Sequence, residues 1–175
     1  GCTMCYTITE EFQSSVVGST RMLPWPVVKN IIDECCEIGV YSILFSWRGE
    51  SSLYRYKNED GSITTFTDVL SYAVKKGILE VTSLTHDQNF SDEFCENLVK
   101  AQPNWISFSI DGLGEDYNKI RTPRNKKKDK SYDAFEKVIN TIRKINYYKN
   151  ELNLVRPQIR TNAIFPSVSR NVEEY

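Results

Sequence analysis

The sequence is short of net charge, has a single histidine, and contains no long apolar run. Each shortage removes a class of function. Among 175 residues, 22 Lys and Arg oppose 23 Asp and Glu, for a net charge of −1. That balance gives no electrostatic case for a polyanionic partner, so nucleic acid is not expected. The one basic run, Arg124-Asn125-Lys126-Lys127-Lys128-Asp129-Lys130, sits between a proline and a helical pattern and reads as a solvated loop. No stretch approaches the ~20 apolar residues of a membrane span, and no signal peptide is visible, so no membrane partner is expected. The lone His86 and one closely spaced cysteine pair fall short of the ligand set of a structural zinc site. Nothing beside His86 completes a catalytic triad, and it is given no role. The 5 cysteines are an odd number, with Cys35 and Cys36 adjacent and Cys95 isolated, unlike the framework of a small secreted domain. A reducing cytoplasm fits better, and these three are expected to be small buried hydrophobes.

What is present describes an ordinary globular chain, 40% hydrophobic and 26% charged, long enough for one domain with a core. Pro24-Trp25-Pro26 opens a helix whose apolar positions Trp25, Val28, Ile31, Ile32 and Cys35 follow the 3.6-residue period, and Gly39 stops it. Residues 40–46 form a β-rich run of strand length. A second helix is predicted over about 65–76, with Phe66, Val69, Leu70, Ala73 and Val74 on one side and Gly77 at its end. Residues 78–84 are the next strand. Ser91 can cap a short helix that turns Phe94, Leu98 and Val99 inward. Residues 105–110 form a third strand, stopped by Asp111-Gly112. The longest helix is predicted over about 132–148, with Phe135, Val138, Ile139, Ile142 and Ile145 on one stripe. A fourth strand follows over 155–165, closed by Pro166, and Asn171 could cap a further helix.

Strands separated by helices, with no hairpin turn signal between them, predict an α/β fold of parallel β-α units. Right-handed crossovers place the helices on one side of a curling sheet. The pattern does not separate a barrel from an open sheet, but in either case binding groups gather at the C-terminal strand ends.

The chemistry-bearing residues fall near those ends. The chain opens Gly1-Cys2-Thr3-Met4-Cys5-Tyr6. After the first strand stands Trp47-Arg48-Gly49-Glu50-Ser51, where glycine permits a tight turn beside a carboxylate. The third strand ends Ser107-Phe108-Ser109-Ile110-Asp111-Gly112 and is followed by Tyr117-Asn118-Lys119-Ile120-Arg121. The last strand carries Arg160-Thr161-Asn162, polar side chains that should point to one face or to a strand end.

In this order the motifs resemble the radical S-adenosylmethionine (SAM) superfamily, in its SPASM-type branch, over about residues 1–175. The opening resembles the last two-thirds of a C-x3-C-x2-C loop, R-G-E resembles the family's G-G-E, and S-x-D-G…Y-x-x-I-R resembles the stretch after the fourth barrel strand. The resemblance implies a partial (β/α)6 barrel of parallel strands with helices outside, truncated at both ends, so that residues 1–175 are an incomplete core domain. It implies a [4Fe-4S] cluster held by Cys2 and Cys5, with the first thiolate before Gly1. It also implies SAM bound by the Arg48-Gly49-Glu50 loop at its ammonium and by Ser109 and Arg121 at its carboxylate, with Asn162 a candidate for the ribose or adenine. The implied activity is reductive cleavage of SAM to a 5′-deoxyadenosyl radical that abstracts hydrogen from a peptide, sugar or other small substrate. An electron donor such as flavodoxin or ferredoxin would serve it. The chain by itself is expected to be inactive, since two thiolates do not hold the cluster as three do. The residues also admit a non-enzymatic α/β binding module, or a thioredoxin-like dithiol using Cys2 and Cys5. A C-x-x-C of that kind should follow a strand and open a helix.

Overall fold

The computed structural model describes residues 5, 7, 9–15, 22–46, 49–86, 90–123 and 126–163. In chain order the elements are α1 (Glu10–Ser15), α2 (Trp25–Glu37), β1 (Ser42–Leu44), β2 (Arg55–Lys57), β3 (Ile63–Thr65), α3 (Phe66–Lys76), β4 (Glu80–Thr85), α4 (Asp92–Ala101), β5 (Trp105–Ser109), α5 (Gly114–Arg121), α6 (Ala134–Glu151) and β6 (Gln158–Asn162). A 3-10 turn, Ser51–Leu53, precedes β2. Parallel pairing builds one 4-stranded sheet in the order β1-β4-β5-β6. Among the described residues this sheet is open, with β1 and β6 as its edges.

The helices lie where local chemistry starts and stops them. Ser91 Oγ accepts from the Phe94 N–H at 3.1 Å, and Asp133 Oδ1 accepts from the Glu136 N–H at 2.9 Å, each satisfying a donor that the first helical turn leaves open. At the start of α3, Asp68 reaches back to the Thr65 N–H at 2.8 Å, and Gly77 (φ +95°) closes the helix in the left-handed region. A surface cluster ties α2 to α3. Asp33 accepts from Lys76, Tyr72 and Lys29, and these bonds, Lys76 first, hold its carboxyl well below the usual carboxylate range.

The core forms where the helices meet the sheet. Val81, Ile106 and Phe108 from the strands pack with Leu70, Ala73, Leu98, Val99, Val138 and Ile145 from the helices. Each large side chain buried there contributes roughly 1.5–3 kcal/mol. Cys95 is fully buried in this core, as expected of a small hydrophobe, whereas Cys35 and Cys36 are half-buried. The Cys36 thiol donates to the Lys76 carbonyl at 2.9 Å.

Three features differ from the sequence expectation. The β2–β3 hairpin, with register Arg55↔Thr65 and Lys57↔Ile63, stands outside the parallel sheet, so a turn signal was present after all. It is Asp60-Gly61: Asn58 N–H bonds the Ser62 carbonyl at 2.8 Å, and Gly61 takes φ +85° at the left-handed position of the loop. A helix, α5, follows Gly112 where only a motif was read. The strands are also shorter than the apolar runs, Gln158–Asn162 instead of 155–165 and Ser42–Leu44 instead of 40–46. Asn171 and Pro166 lie outside the described residues.

Candidate active site

Residues paired across parallel strands share a face, and side chains alternate along each strand. The register Ser107↔Arg160 and Ser109↔Asn162 therefore places these four on one face of the sheet, opposite Ile106, Phe108 and Ile159, which pack toward the helices. The hydrogen bonds agree. Ser107 Oγ donates to Asn162 Oδ1 at 3.0 Å, and Asn162 Nδ2 donates to Ser109 Oγ at 3.3 Å. Ser109 and Asn162 thus meet at the C-terminal ends of neighbouring strands.

Just beyond Ser109 the chain enters the fully buried Asp111, whose carboxylate pairs with Arg121 through both Nε and Nη2. The arginine side chain is itself 11% exposed. Gly112 lets α5 return closely enough for this pair to form. At φ +153° a Cβ there would meet the Tyr117 backbone nitrogen at 3.0 Å, which only glycine avoids. Tyr117, fully buried, then anchors α5 against Phe135 of α6 with ring centroids 5.7 Å apart. Arg121 was pointed to by the resemblance of the S-x-D-G…Y-x-x-I-R stretch. Its partner was not visible, because Asp111-Gly112 read as a turn.

Glu50 is the second buried carboxylate, its side chain 6% exposed. Oε1 accepts from Thr85 Oγ1 at 2.8 Å and from the Ser52 N–H at 3.3 Å, and Oε2 accepts from the His86 N–H at 2.9 Å. The His86 ring nitrogen Nε2 lies 3.4 Å from Oε2. One carboxylate therefore straps the loop after β1 to the C-terminal end of β4. His86, given no role from sequence, helps to build that strap. Gly49 beside it is exposed, at φ +80°. Gly49 and Glu50 line an open groove of about 470 Å³ together with Phe45, Leu53 and Tyr54.

Replacing Glu50 by glutamine should test the strap. The amide keeps the shape but turns an NH2 toward either Thr85 or the His86 N–H, leaving a buried donor unpaired. A loss of about 1–3 kcal/mol in urea unfolding is expected, and an unchanged midpoint would show that the strap carries no load.

Cys5 is half-buried, with Sγ 2.8 Å from Thr7 Oγ1. Cys2 and Arg48 lie outside the described residues. Among the described residues there is no group of three or more His, Cys, Asp and Glu side chains placed to hold a metal ion, and no helix is long and apolar enough to cross a membrane. The residues brought together are thus Ser109 with Asn162 on the sheet face, Arg121 with Asp111 just beyond β5, and Glu50 at the neighbouring strand end.

The family described as Radical SAM superfamily matches residues 1–154 of this chain. No curated protein sequence matches it. A solved structure described as native anSMEcpe with bound AdoMet is similar in fold, with a TM-score of 0.67 at 16% identity. That likeness covers 98% of this chain and 42% of the other, so this chain spans less than half the length of the protein it resembles. At such identity the likeness concerns the fold: the open parallel sheet and its flanking helices match part of a (β/α) barrel.

Proposed function

Because this chain belongs to the radical SAM superfamily, we propose that it forms the SAM-binding part of an enzyme's core domain, which the chain supplies incompletely over residues 1–175. What supports this reading most is the convergence of Glu50, Ser109, Asn162 and the Asp111–Arg121 pair at the C-terminal ends of three adjacent parallel strands and the loops that follow them. In open and barrel-like α/β folds that edge is where ligands bind.

The residues fit SAM's charged groups one by one. A carboxylate would meet the Arg121 guanidinium, whose plane Asp111 already sets, and the Ser109 hydroxyl at the end of β5. Guanidinium and carboxylate match as parallel forks, a geometry that lysine does not reproduce. Both Glu50 oxygens already accept hydrogen bonds. The methionyl ammonium is therefore assigned to the carbonyl oxygens of the Arg48-Gly49-Glu50 loop, with the Glu50 carboxylate bracing that loop against β4. Asn162, at the end of β6, would take a hydroxyl or ring nitrogen of the adenosine. A [4Fe-4S] cluster requires thiolates. Cys5 offers a half-buried thiol, and Cys2 would be a second donor. When bound, such a cluster would supply the electron for reductive cleavage of SAM, giving methionine and a 5′-deoxyadenosyl radical. The protein's share is to orient SAM and exclude water.

Within the superfamily we assign the chain to the SPASM-type branch, on the S-I-D-G…I-R stretch. Its substrate would be a peptide, sugar or other small molecule, its reductant a flavodoxin or ferredoxin, and its location the cytoplasm. Among the described residues the first helix, α1, begins at Glu10 and is short, which lends the rival dithiol module no support. Anaerobic reconstitution of the intact enzyme with iron and sulfide tests the reading. A brown protein that converts SAM to methionine and 5′-deoxyadenosine when reduced is expected. A colourless protein that leaves SAM intact would reject it.

A further inference from the structure

We propose that Arg160, stacked on Trp105, is a recognition point for a carboxylate group of the substrate, on the same sheet face as Ser109 and Asn162. The proposal rests on the radical SAM reading for what the bound substrate undergoes, but the subsite's own chemistry stands on the following geometry.

Arg160 lies on β6 opposite Ser107, and Trp105 starts β5 on the same face. The guanidinium carbon sits 4.6 Å from the centroid of the Trp105 ring. Its side chain is exposed, and among the described residues none makes a hydrogen bond or close ion pair to it, although Glu80 interacts with its charge. That sets it apart from Arg121, which Asp111 engages, and from Arg143, which Glu136 holds at 2.8 Å. Stacking uses the guanidinium face and leaves its N–H edge open, and that edge is the part that matches a carboxylate.

The ring is itself fixed. Trp105 Nε1 donates to Glu80 Oε1 at 3.2 Å, and Glu80 stands on the same face at the start of β4. Hydrogen bonds from Ser42 and then Trp105 hold the Glu80 carboxyl below its ordinary range, so it is ionised at neutral pH. Glu80 offsets part of the Arg160 charge, and what remains for recognition is the planar N–H fork, which a carboxylate can fill with two parallel bonds. Arg160 precedes Asn162 by two residues, about 7 Å along a strand, and its guanidinium reaches back over Trp105, at the N-terminal end of β5. A substrate held there by its carboxylate would extend toward the SAM side of the same face.

The test uses the intact, reconstituted enzyme and phenylglyoxal, which modifies accessible arginines, with Arg160 followed by peptide mass spectrometry. N-acetylglycine is the probe and N-acetylglycinamide its uncharged twin. N-acetylglycine is expected to slow modification of Arg160 at least threefold, the amide to leave it unchanged, and inorganic phosphate to protect less than the carboxylate. In Trp105→Leu the protection by N-acetylglycine should fall at least threefold, because the guanidinium loses its platform. Equal protection by acid and amide, or none by either, would overturn the proposal. Stronger protection by phosphate would overturn the carboxylate assignment, and undiminished protection in Trp105→Leu would overturn the role of the ring. Failure of the same preparation to cleave SAM would count against the functional reading alone.

Discussion

Arg121→Met is expected to destabilise the enzyme by about 3–5 kcal/mol, because it leaves the Asp111 carboxylate buried and uncompensated. Asp111 has no exposed surface, and the arginine donates to it through Nε and Nη2. Removing one member of a buried pair costs far more than the pair's net worth. Arg121→Lys separates stability from ligand recognition. Lysine keeps a positive charge near Asp111, so most of the folding stability should return, but it offers a point charge where the guanidinium offered a planar fork. SAM affinity is then expected to drop about tenfold or more, equivalent to ~1.4 kcal/mol, with the cluster's absorption unchanged. Urea unfolding and equilibrium dialysis with labelled SAM read the two quantities separately. Wild-type SAM affinity in Arg121→Lys would remove this residue from the site and leave it a purely structural role.

The second large effect concerns Cys5. Its thiol is half-buried, and among the described residues its hydrogen-bond partner is the nearby Thr7, so Cys5→Ala should do little to the fold. On the proposed reading, in which Cys5 would hold one iron of the cluster, it should nevertheless abolish the brown absorption of the reconstituted enzyme and reduce SAM cleavage to background. Cys95→Ala is the matched control. That residue is fully buried in the core, and its loss should cost about 1 kcal/mol of stability while leaving colour and cleavage intact. Full colour in Cys5→Ala would contradict the assignment of the opening cysteines.

The helices were legible because their ends carry local chemistry: Ser91 caps α4, Gly77 closes α3, and apolar stripes mark the faces of α2 and α6. The parallel order was legible for the same reason, from strands that alternate with helices. The β2–β3 hairpin escaped because its strands are three residues each, too short for alternation to register, although Asp60-Gly61 announced the turn. Strand ends were overrun because β-branched and apolar residues continue past the last strand residue, as at Val155 and at Val40, whose N–H bonds the Cys35 carbonyl of α2 instead of a strand.

In the site, Ser109 and Asn162 could be read because each ends a strand, and register did the rest. Partners remote in sequence could not. Nothing in the order of residues says that Glu50 meets Thr85 and His86, 35 and 36 positions away. Nor does it say that Arg121 is matched by Asp111, because a buried ion pair leaves no periodic trace. Arg160 was read only as a polar residue in a strand, and its stacking on Trp105 depends on the pairing of β5 with β6.

The account depends most on the claim that the C-terminal edge of this sheet receives SAM. Equilibrium dialysis of labelled SAM against the reconstituted enzyme carrying Ser109→Ala and Asn162→Ala together tests it most directly. Binding at least tenfold weaker than wild type, with the visible absorption of the cluster unaltered, is the predicted result. Wild-type affinity in that double variant would contradict it.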